Sequence, residues 1–111
     1  MNVNFSVRGN TLVAFVSGEL DQHNAAQLRE QIDLRITHTN VKKLVFDFSG
    51  LDFMDSSGIG VIIGRYKLMR ALNGTVSVVC QKRSVEKILE LSGIRRIINI
   101  YDTLSDAIKT A

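Results

Sequence analysis

The chain has 111 residues, 45% hydrophobic and 23% charged, which suits one globular domain with its own core and excludes a disordered chain. The net charge of +3 is spread along the sequence, and no basic run alternates with aromatics, so nothing in the pattern supports nucleic-acid binding. The single cysteine, Cys80, excludes an internal disulfide. The sequence shows neither a signal peptide nor an apolar run of transmembrane length, which predicts a cytoplasmic protein without membrane association.

The N-terminal segment predicts an antiparallel hairpin. Residues 2–8 alternate in polarity, and Gly9-Asn10 is a typical turn pair. Residues 11–17 then form the second strand. Residues 18–21 (Gly-Glu-Leu-Asp) follow as a predicted loop.

A helix and a central strand come next. Asn24, with Gln27 three residues later, resembles a capping box, and apolar residues at helical spacing follow it. Residues 42–48 are rich in β-forming side chains and predict a central strand. Residues 49–55 are predicted to form a loop.

The second half of the chain alternates between helix and strand. A helix is predicted over residues 57–72 and ends at Asn73-Gly74. Residues 75–80 form a strand, in which Cys80 is expected to be a buried thiol. Ser84 caps a short helix that Gly93 ends.

One more strand and helix complete the pattern. Residues 97–101 form the last predicted strand, and Thr103 with Asp106 opens a helix whose apolar stripe reaches Ala111. The element order is therefore ββαβαβαβα. This order predicts a single α/β domain over residues 1–111, with a mixed, mostly parallel sheet flanked by helices.

The segment Asp55-Ser56-Ser57-Gly58 interrupts an otherwise apolar run where a helix should begin. Serine is a favoured N-cap, and either serine is a candidate for that role. The first N–H groups of a helix lack partners within it, and the helix dipole favours an anion there. An added phosphate is therefore expected to be tolerated, which predicts a switchable docking surface.

Enzyme motifs are incomplete in this chain. The nucleophile elbow of a serine hydrolase around Ser56 would need glycine where Met54 stands. The two histidines, His23 and His38, flank the first helix and are expected to be exposed, so a catalytic triad is not predicted. The spacing of the glycines in 58–64 is one residue too long for a dinucleotide fingerprint, and they lie beyond the strand-to-helix turn. We therefore predict no catalytic residue, metal site or cofactor.

The residues after the motif have unusually low polarity. At about 100° per residue they cover more than one helix face, so some must be buried by a second layer or exposed for docking. These residues are Ile59, Val61, Ile62 and Ile63. Gly60 and Gly64 predict a close approach of this helix, either to the protein's own sheet or to the backbone of a partner.

Three segments together resemble the STAS domains of the anti-sigma factor antagonist family. They are Gly18–Asp21, Leu44–Phe48 and Phe53–Val61, and their order and spacing match over essentially the whole chain. The continuation Gly64-Arg65-Tyr66-Lys67 is similar to the sporulation members. The resemblance implies a STAS fold and a partner-switching role without enzymatic activity.

The resemblance also implies partners and a modification site. The unphosphorylated protein would bind an anti-sigma factor that is a serine kinase and so free a sigma factor. Phosphorylation of Ser57 would switch it off, and a serine phosphatase would restore it. Ser57 is thus the expected phosphoacceptor and helix cap. The expected partner-binding residues are Asp21, His23, Asn24, Asp55, Ser56, Gly58, Ile59 and Gly60.

Other functions remain open at this point. The chain could be a STAS module of another partner-switching system, such as a stress response. A nucleotide-binding protein is a third, less favoured class, which a nucleotide titration of the protein alone would separate. The expected oligomeric state is a monomer.

Overall fold

A computed structural model describes residues 1–109 as a five-stranded sheet with helices on both faces. The strands are β1 Asn2–Arg8, β2 Thr11–Leu20, β3 Lys43–Met54, β4 Thr75–Val79 and β5 Asn99–Tyr101. The helices are α1 Ala25–Thr37, α2 Ser56–Ala71, α3 Arg83–Ser92 and α4 Leu104–Lys109, and a 3₁₀ turn, Ile94–Arg96, precedes β5. The strands lie in chain order, with β1 antiparallel to β2 and the other neighbours parallel. The predicted mixed, mostly parallel sheet is confirmed.

Strands β2 and β3 are longer than the sequence predicts. The predicted loops at residues 18–21 and 49–55 pair with each other for most of their length, ending at Leu20 opposite Met54. Two register irregularities accommodate the small, polar residues of this stretch, one of them beside Gly18, whose φ is 87°. The loop prediction was wrong because turn-like composition in each segment is overridden by pairing with the other.

The core lies mainly between the sheet and the helices α1, α2 and α3. Phe46 and Phe48 are fully buried there, with ring centroids 5.6 Å apart. Helix α4 covers part of the opposite face, where Ala107 packs with Val13 and Val45. The two layers explain why β3, at the centre of the sheet, is buried continuously from Leu44 to Phe48.

Helix ends show which predicted caps form. Gly93 ends α3 in the left-handed region with φ 75°, and Thr103 Oγ1 accepts a hydrogen bond of 3.1 Å from Asp106 N, both as predicted. Ser84 is not a cap, because α3 begins at Arg83 and the Ser84 hydroxyl instead donates to Asp52 O at 3.0 Å. The predicted end of the last stripe, Ala111, lies outside the described residues.

Two further expectations concern burial and membranes. Cys80 is buried as predicted, and burial raises the pKa of its thiol. Strand β5 is shorter than predicted, because the backbone N–H groups of Ile97 and Ile98 both donate to Ile94 O and so belong to the preceding turn. Within residues 1–109, no helix combines the length and apolar character needed to cross a membrane.

Candidate partner-binding site at the start of helix α2

The extended pairing of β2 with β3 brings two predicted site segments together. Leu20 lies opposite Met54, and Asp55 N donates a hydrogen bond of 3.2 Å to Leu20 O. The chain leaves β2 into the turn Asp21–Asn24 and leaves β3 into the start of α2. The turn and the helix start are therefore neighbours at the same end of the sheet.

Asp55 caps helix α2. Its backbone is extended (φ −101°, ψ −171°), and its Oδ1 accepts a hydrogen bond of 2.8 Å from Ser57 N. Gly58 N donates to Asp55 O at 3.1 Å, so the first helical residue is Ser56. The prediction of a serine cap was wrong because β3 continues to Met54, and that places Asp55 at the junction.

The Ser57 hydroxyl therefore does not cap the helix. Within residues 1–109 the structure shows no hydrogen bond made by Ser57 Oγ, and the residue is partly exposed. We predicted that unpaired N–H groups at this helix start would stabilise a phosphate. That prediction was wrong for Ser57 N and Gly58 N, because both already donate to Asp55. A phosphate on Ser57 would have to find other donors.

The Asp21–Asn24 turn is held by its own side chains. Asn24 forms no capping box, because its Oδ1 accepts from Asp21 N at 3.0 Å while its Nδ2 donates to Glu19 O at 2.9 Å. Asp21 Oδ1 accepts from His23 N at 2.9 Å. The His23 side chain is 82% exposed, with Nδ1 3.5 Å from Asp21 Oδ1. The turn thus presents an imidazole on a fixed backbone.

Gly58 is the glycine that contact with the sheet requires. A Cβ at this position would lie 2.4 Å from Met54 Cγ and Sδ and 3.0 Å from Leu20 Cδ2. The absence of a side chain lets the first turn of α2 rest directly on the ends of β2 and β3. Gly58 therefore determines how closely the start of α2 packs on the sheet beneath the site.

Gly60 and Gly64 serve a different purpose from Gly58. A Cβ at either position would meet no atom within 4 Å, so neither glycine approaches the protein's own sheet. Both line an open groove of about 370 Å³ between α1 and α2. The other lining residues of this α1–α2 groove are Ala25, Ala26, Arg29, Ser57, Val61 and Arg65.

Residues 2–107 match the STAS domain family. The chain belongs to this family. An anti-sigma F factor antagonist from Paenibacillus polymyxa is 39% identical over 97 residues, covering 87% of this chain and 83% of that protein. The structure of the unphosphorylated anti-sigma factor antagonist SpoIIAA is 30% identical, with a TM-score of 0.84 over 96% of this chain and 93% of that one. The Bacillus cell fate determinant SpoIIAA in its phosphorylated form is also 30% identical, with a TM-score of 0.74 over 96% of both chains.

The apolar residues of α2 in this STAS domain are buried by a second layer. Ile62 is fully buried, and Ile59 is only 8% exposed. The helix packs against β3 and β4 beneath it and against α1 and α3 on its flanks. Ile59 therefore offers little surface at the site, and the neighbouring exposed position is Gly60.

Sequence reasoning missed two residues of this STAS domain that lie beside the site. Phe53 is 47% exposed at the end of β3, beside exposed Asp52, because a register irregularity interrupts the strand between buried Leu51 and buried Met54. Arg29 lines the same groove as Ser57. A local pattern does not show the irregularity that exposes Phe53, and identifying Arg29 required knowledge of how α1 packs on α2. Residues 1–109 contain no cluster of His, Cys, Asp or Glu side chains suited to a metal ion.

Proposed function

We propose that this STAS domain is an anti-sigma factor antagonist that acts as a kinase substrate and has no enzymatic activity itself. Its unphosphorylated form binds a cytoplasmic anti-sigma factor that is a serine kinase, and that binding releases a sigma factor. The kinase transfers the γ-phosphoryl group of ATP to Ser57 Oγ, leaving ADP and a proton. A serine phosphatase restores the hydroxyl. The P. polymyxa relative that is 39% identical is named an anti-sigma F factor antagonist, and this name supports sigma F as the sigma factor that is released.

One observation carries the proposal. The Ser57 hydroxyl lies partly exposed at the start of α2 and has no part in the helix cap, which Asp55 provides. A kinase can modify this oxygen without breaking a hydrogen bond that holds the helix. The site is therefore suited to reversible modification on a folded domain.

The proposed interface is the surface around Ser57. Its exposed members, His23, Ser56 and Gly60, make direct contact with the partner. The carboxylates of Asp21 and Asp55 attract cationic groups of the partner. The remaining proposed residues support this surface: Asn24 through the turn, Gly58 through its contact with β2 and β3, and Ile59 from the core.

Electrostatics explains how phosphorylation would end the complex. The phosphate adds about −1.5 to −2 charges at pH 7 beside the Asp55 carboxylate. In a docked interface this charge would be desolvated against the partner. A change from mostly bound to mostly free requires about 5.5 kcal/mol of differential affinity. Repulsion and desolvation at one residue can supply such a change without rearranging the fold.

Incubation with a candidate anti-sigma kinase and ATP tests the proposal. Intact mass with fragment mapping should show one phosphate on Ser57 in the wild type and in Ser56→Ala, which removes the neighbouring hydroxyl and so shows which serine is modified. Ser57→Ala should remain unmodified while still binding the kinase. A phosphate on Ser56 in place of Ser57, or none in a reaction that modifies a known substrate of the same kinase, would contradict the assignment.

A second measurement tests the switch itself. Ser57→Asp introduces a negative charge at the site and should weaken binding to the kinase relative to wild type. Equal affinity would show that charge at Ser57 does not cause release. A parallel titration of the protein alone with ATP should give a flat signal. Saturable binding would favour the nucleotide-binding class over the switch.

A further inference from the structure

An open pocket lies on the sheet face that carries helix α4. Helix α4 packs there against β3, β4 and β5, while the pocket, of about 280 Å³, lies on β1, β2 and β3. The strand register places Phe15 between Asn4 and Asp47 on neighbouring strands, so the three side chains share this face. The residues that line this Asp47 pocket are Asn4, Phe15, Val16, Ser17, Asp47, Ser49 and Gly50.

Asp47 is a buried carboxylate without a cationic partner. It is 7% exposed, and its Oδ1 accepts a hydrogen bond of 2.9 Å from Ser49 N. No lysine, arginine or histidine within residues 1–109 forms an ion pair with it. Its Oδ2 accepts no hydrogen bond from the described residues and is not fully enclosed, so this oxygen is open to the pocket. Buried carboxylates are normally paired, and the unmatched charge therefore indicates a cationic ligand.

The polar groups around Asp47 fit an ammonium group. Because Ser49 N already engages Oδ1, one carboxylate oxygen is left, whereas the fork of a guanidinium binds best to two. An ammonium group is a compact charge with three donors. The Ser17 hydroxyl and the Asn4 amide oxygen line the same pocket and can accept from it. The Phe15 ring adds an aromatic wall that suits an alkylammonium chain.

Two charged side chains flank the pocket at opposite ends of β2. Arg8 lies at one end, with its Cζ 5.9 Å from the Phe15 ring centroid. Its Nε donates to Ser6 Oγ at 3.4 Å, so the exposed guanidinium is held along β1 and leaves Asp47 unpaired. Glu19 lies exposed at the other end, two residues beyond Ser17. A ligand cation would therefore be attracted from the Glu19 end and repelled from the Arg8 end.

The size of the pocket and its surroundings favour a side chain of a protein as the occupant. Drug-sized ligands occupy cavities of about 300–1,000 Å³, and the Asp47 pocket is smaller. Phe53 is 47% exposed and lies opposite Glu19, just beyond the pocket. Aromatic residues are enriched in protein interfaces, so Phe53 extends the pocket into a surface suited to a protein. Lysine carries both an alkyl stem and an ammonium group on one side chain.

We propose that the Asp47 pocket receives a lysine side chain from the surface of a protein partner. The ammonium group binds Asp47 Oδ2, the alkyl stem packs on Phe15, and Phe53 contacts the partner around the lysine. The surface lies on the sheet face opposite the one that α2 covers. The partner can therefore bind whether or not Ser57 is phosphorylated.

Titration with N-acetyl-lysine methylamide, followed by backbone amide NMR, tests the proposal on the unmodified protein. We expect saturable shifts at the Ser49 N–H, which donates to Asp47, with a dissociation constant in the millimolar range. The norleucine analogue has the same apolar stem without the ammonium group and should give no saturable shift. Asp47→Asn keeps an oxygen for Ser49 N but removes the charge, and should weaken binding at least about tenfold. Asp102→Asn, the same change outside the pocket, should leave the affinity unchanged.

A second variant blocks the pocket without changing Asp47. Asn4 is exposed at the rim, so Asn4→Trp should fold, and its indole should cover the pocket and abolish the saturable shift. No saturable shift in the wild type, an equal response to the norleucine analogue, or unchanged affinity in both pocket variants would overturn the proposal. Tighter binding of free n-butylammonium than of the lysine analogue would assign the pocket to a small amine and overturn the protein occupant. The kinase assay tests the proposed function separately, since no step of this titration involves Ser57.

Discussion

The same substitution at two glycines of α2 should change stability in opposite directions. At Gly58 an alanine Cβ would lie 2.4 Å from Met54 Cγ and Sδ and 3.0 Å from Leu20 Cδ2. Met54 is 3% exposed and has no solvent to move into. Overpacking of this kind costs about 1–3 kcal/mol, against a helix-propensity gain of at most about 1 kcal/mol. We expect Gly58→Ala to lose up to about 2 kcal/mol of unfolding free energy by this difference.

Gly64→Ala is the matched control for this prediction. No atom lies within 4 Å of its Cβ, so the variant should gain about 0.5–1 kcal/mol from reduced backbone entropy and better helix propensity. The two variants should differ by about 2 kcal/mol, which corresponds to roughly 8–16 °C in Tm for a domain near this size. Urea denaturation followed by circular dichroism measures the difference. If Gly58→Ala is as stable as Gly64→Ala, Gly58 does not contact the sheet as described and the reasoning fails.

Three further predictions concern single side chains. Asp55→Ala should lose about 1 kcal/mol of unfolding free energy through the missing cap, whereas Asp55→Asn should keep most of it; equal losses in urea denaturation would argue against capping. Asp33→Ala should lower the free energy of unfolding by about 1–2 kcal/mol, because it leaves buried Arg65 without its carboxylate. Glu30→Ala, on the same helix, should change that free energy by no more than about 0.5 kcal/mol. Similar losses for both variants in urea denaturation would contradict this role of Asp33. The raised pKa of buried Cys80 favours the folded state fully below its unfolded pKa of about 8.5, and this contribution is lost as pH rises toward the folded pKa. The stability difference between wild type and Cys80→Ala should therefore shrink from pH 8 to pH 10, a trend that equilibrium unfolding at each pH would show or refute.

The sheet and its element order follow from local sequence patterns because each element carries its own signal. Gly9-Asn10 marks the hairpin, and residues 42–48 combine β-forming side chains with burial on both faces. The second half of β3 carries no such signal, since small and polar residues at 49–52 look like a loop. Its strand conformation comes from pairing with residues 17–20, which lie far away in sequence. Long-range pairing of this kind is not visible in a local pattern.

The candidate site was predictable in position but not in its hydrogen bonds. The motif around Ser57 correctly indicated a helix start, and the structure places the Asp21–Asn24 turn beside it. Which residue caps α2 depended on where β3 ends, and that end depended on the pairing with β2. The groove beside Ser57 could not be predicted either, because it also depends on contacts between segments far apart in sequence. Gly60 and Gly64 indicate a close approach in sequence, and only the packing of α1 on α2 shows that the space above them is open.

Asp55 caps α2, whereas Ser57 is the proposed phosphoacceptor, and this separation affects how the proposed switch works. If Ser57 were the cap, a phosphate on its oxygen would disturb a hydrogen bond worth about 1 kcal/mol to the helix. Because Asp55 Oδ1 holds the Ser57 N–H instead, the added phosphate removes no bond from the fold. The free energy that separates the partners must then arise at the interface. It would come from the new charge beside Asp55 and from the cost of desolvating that charge against the partner.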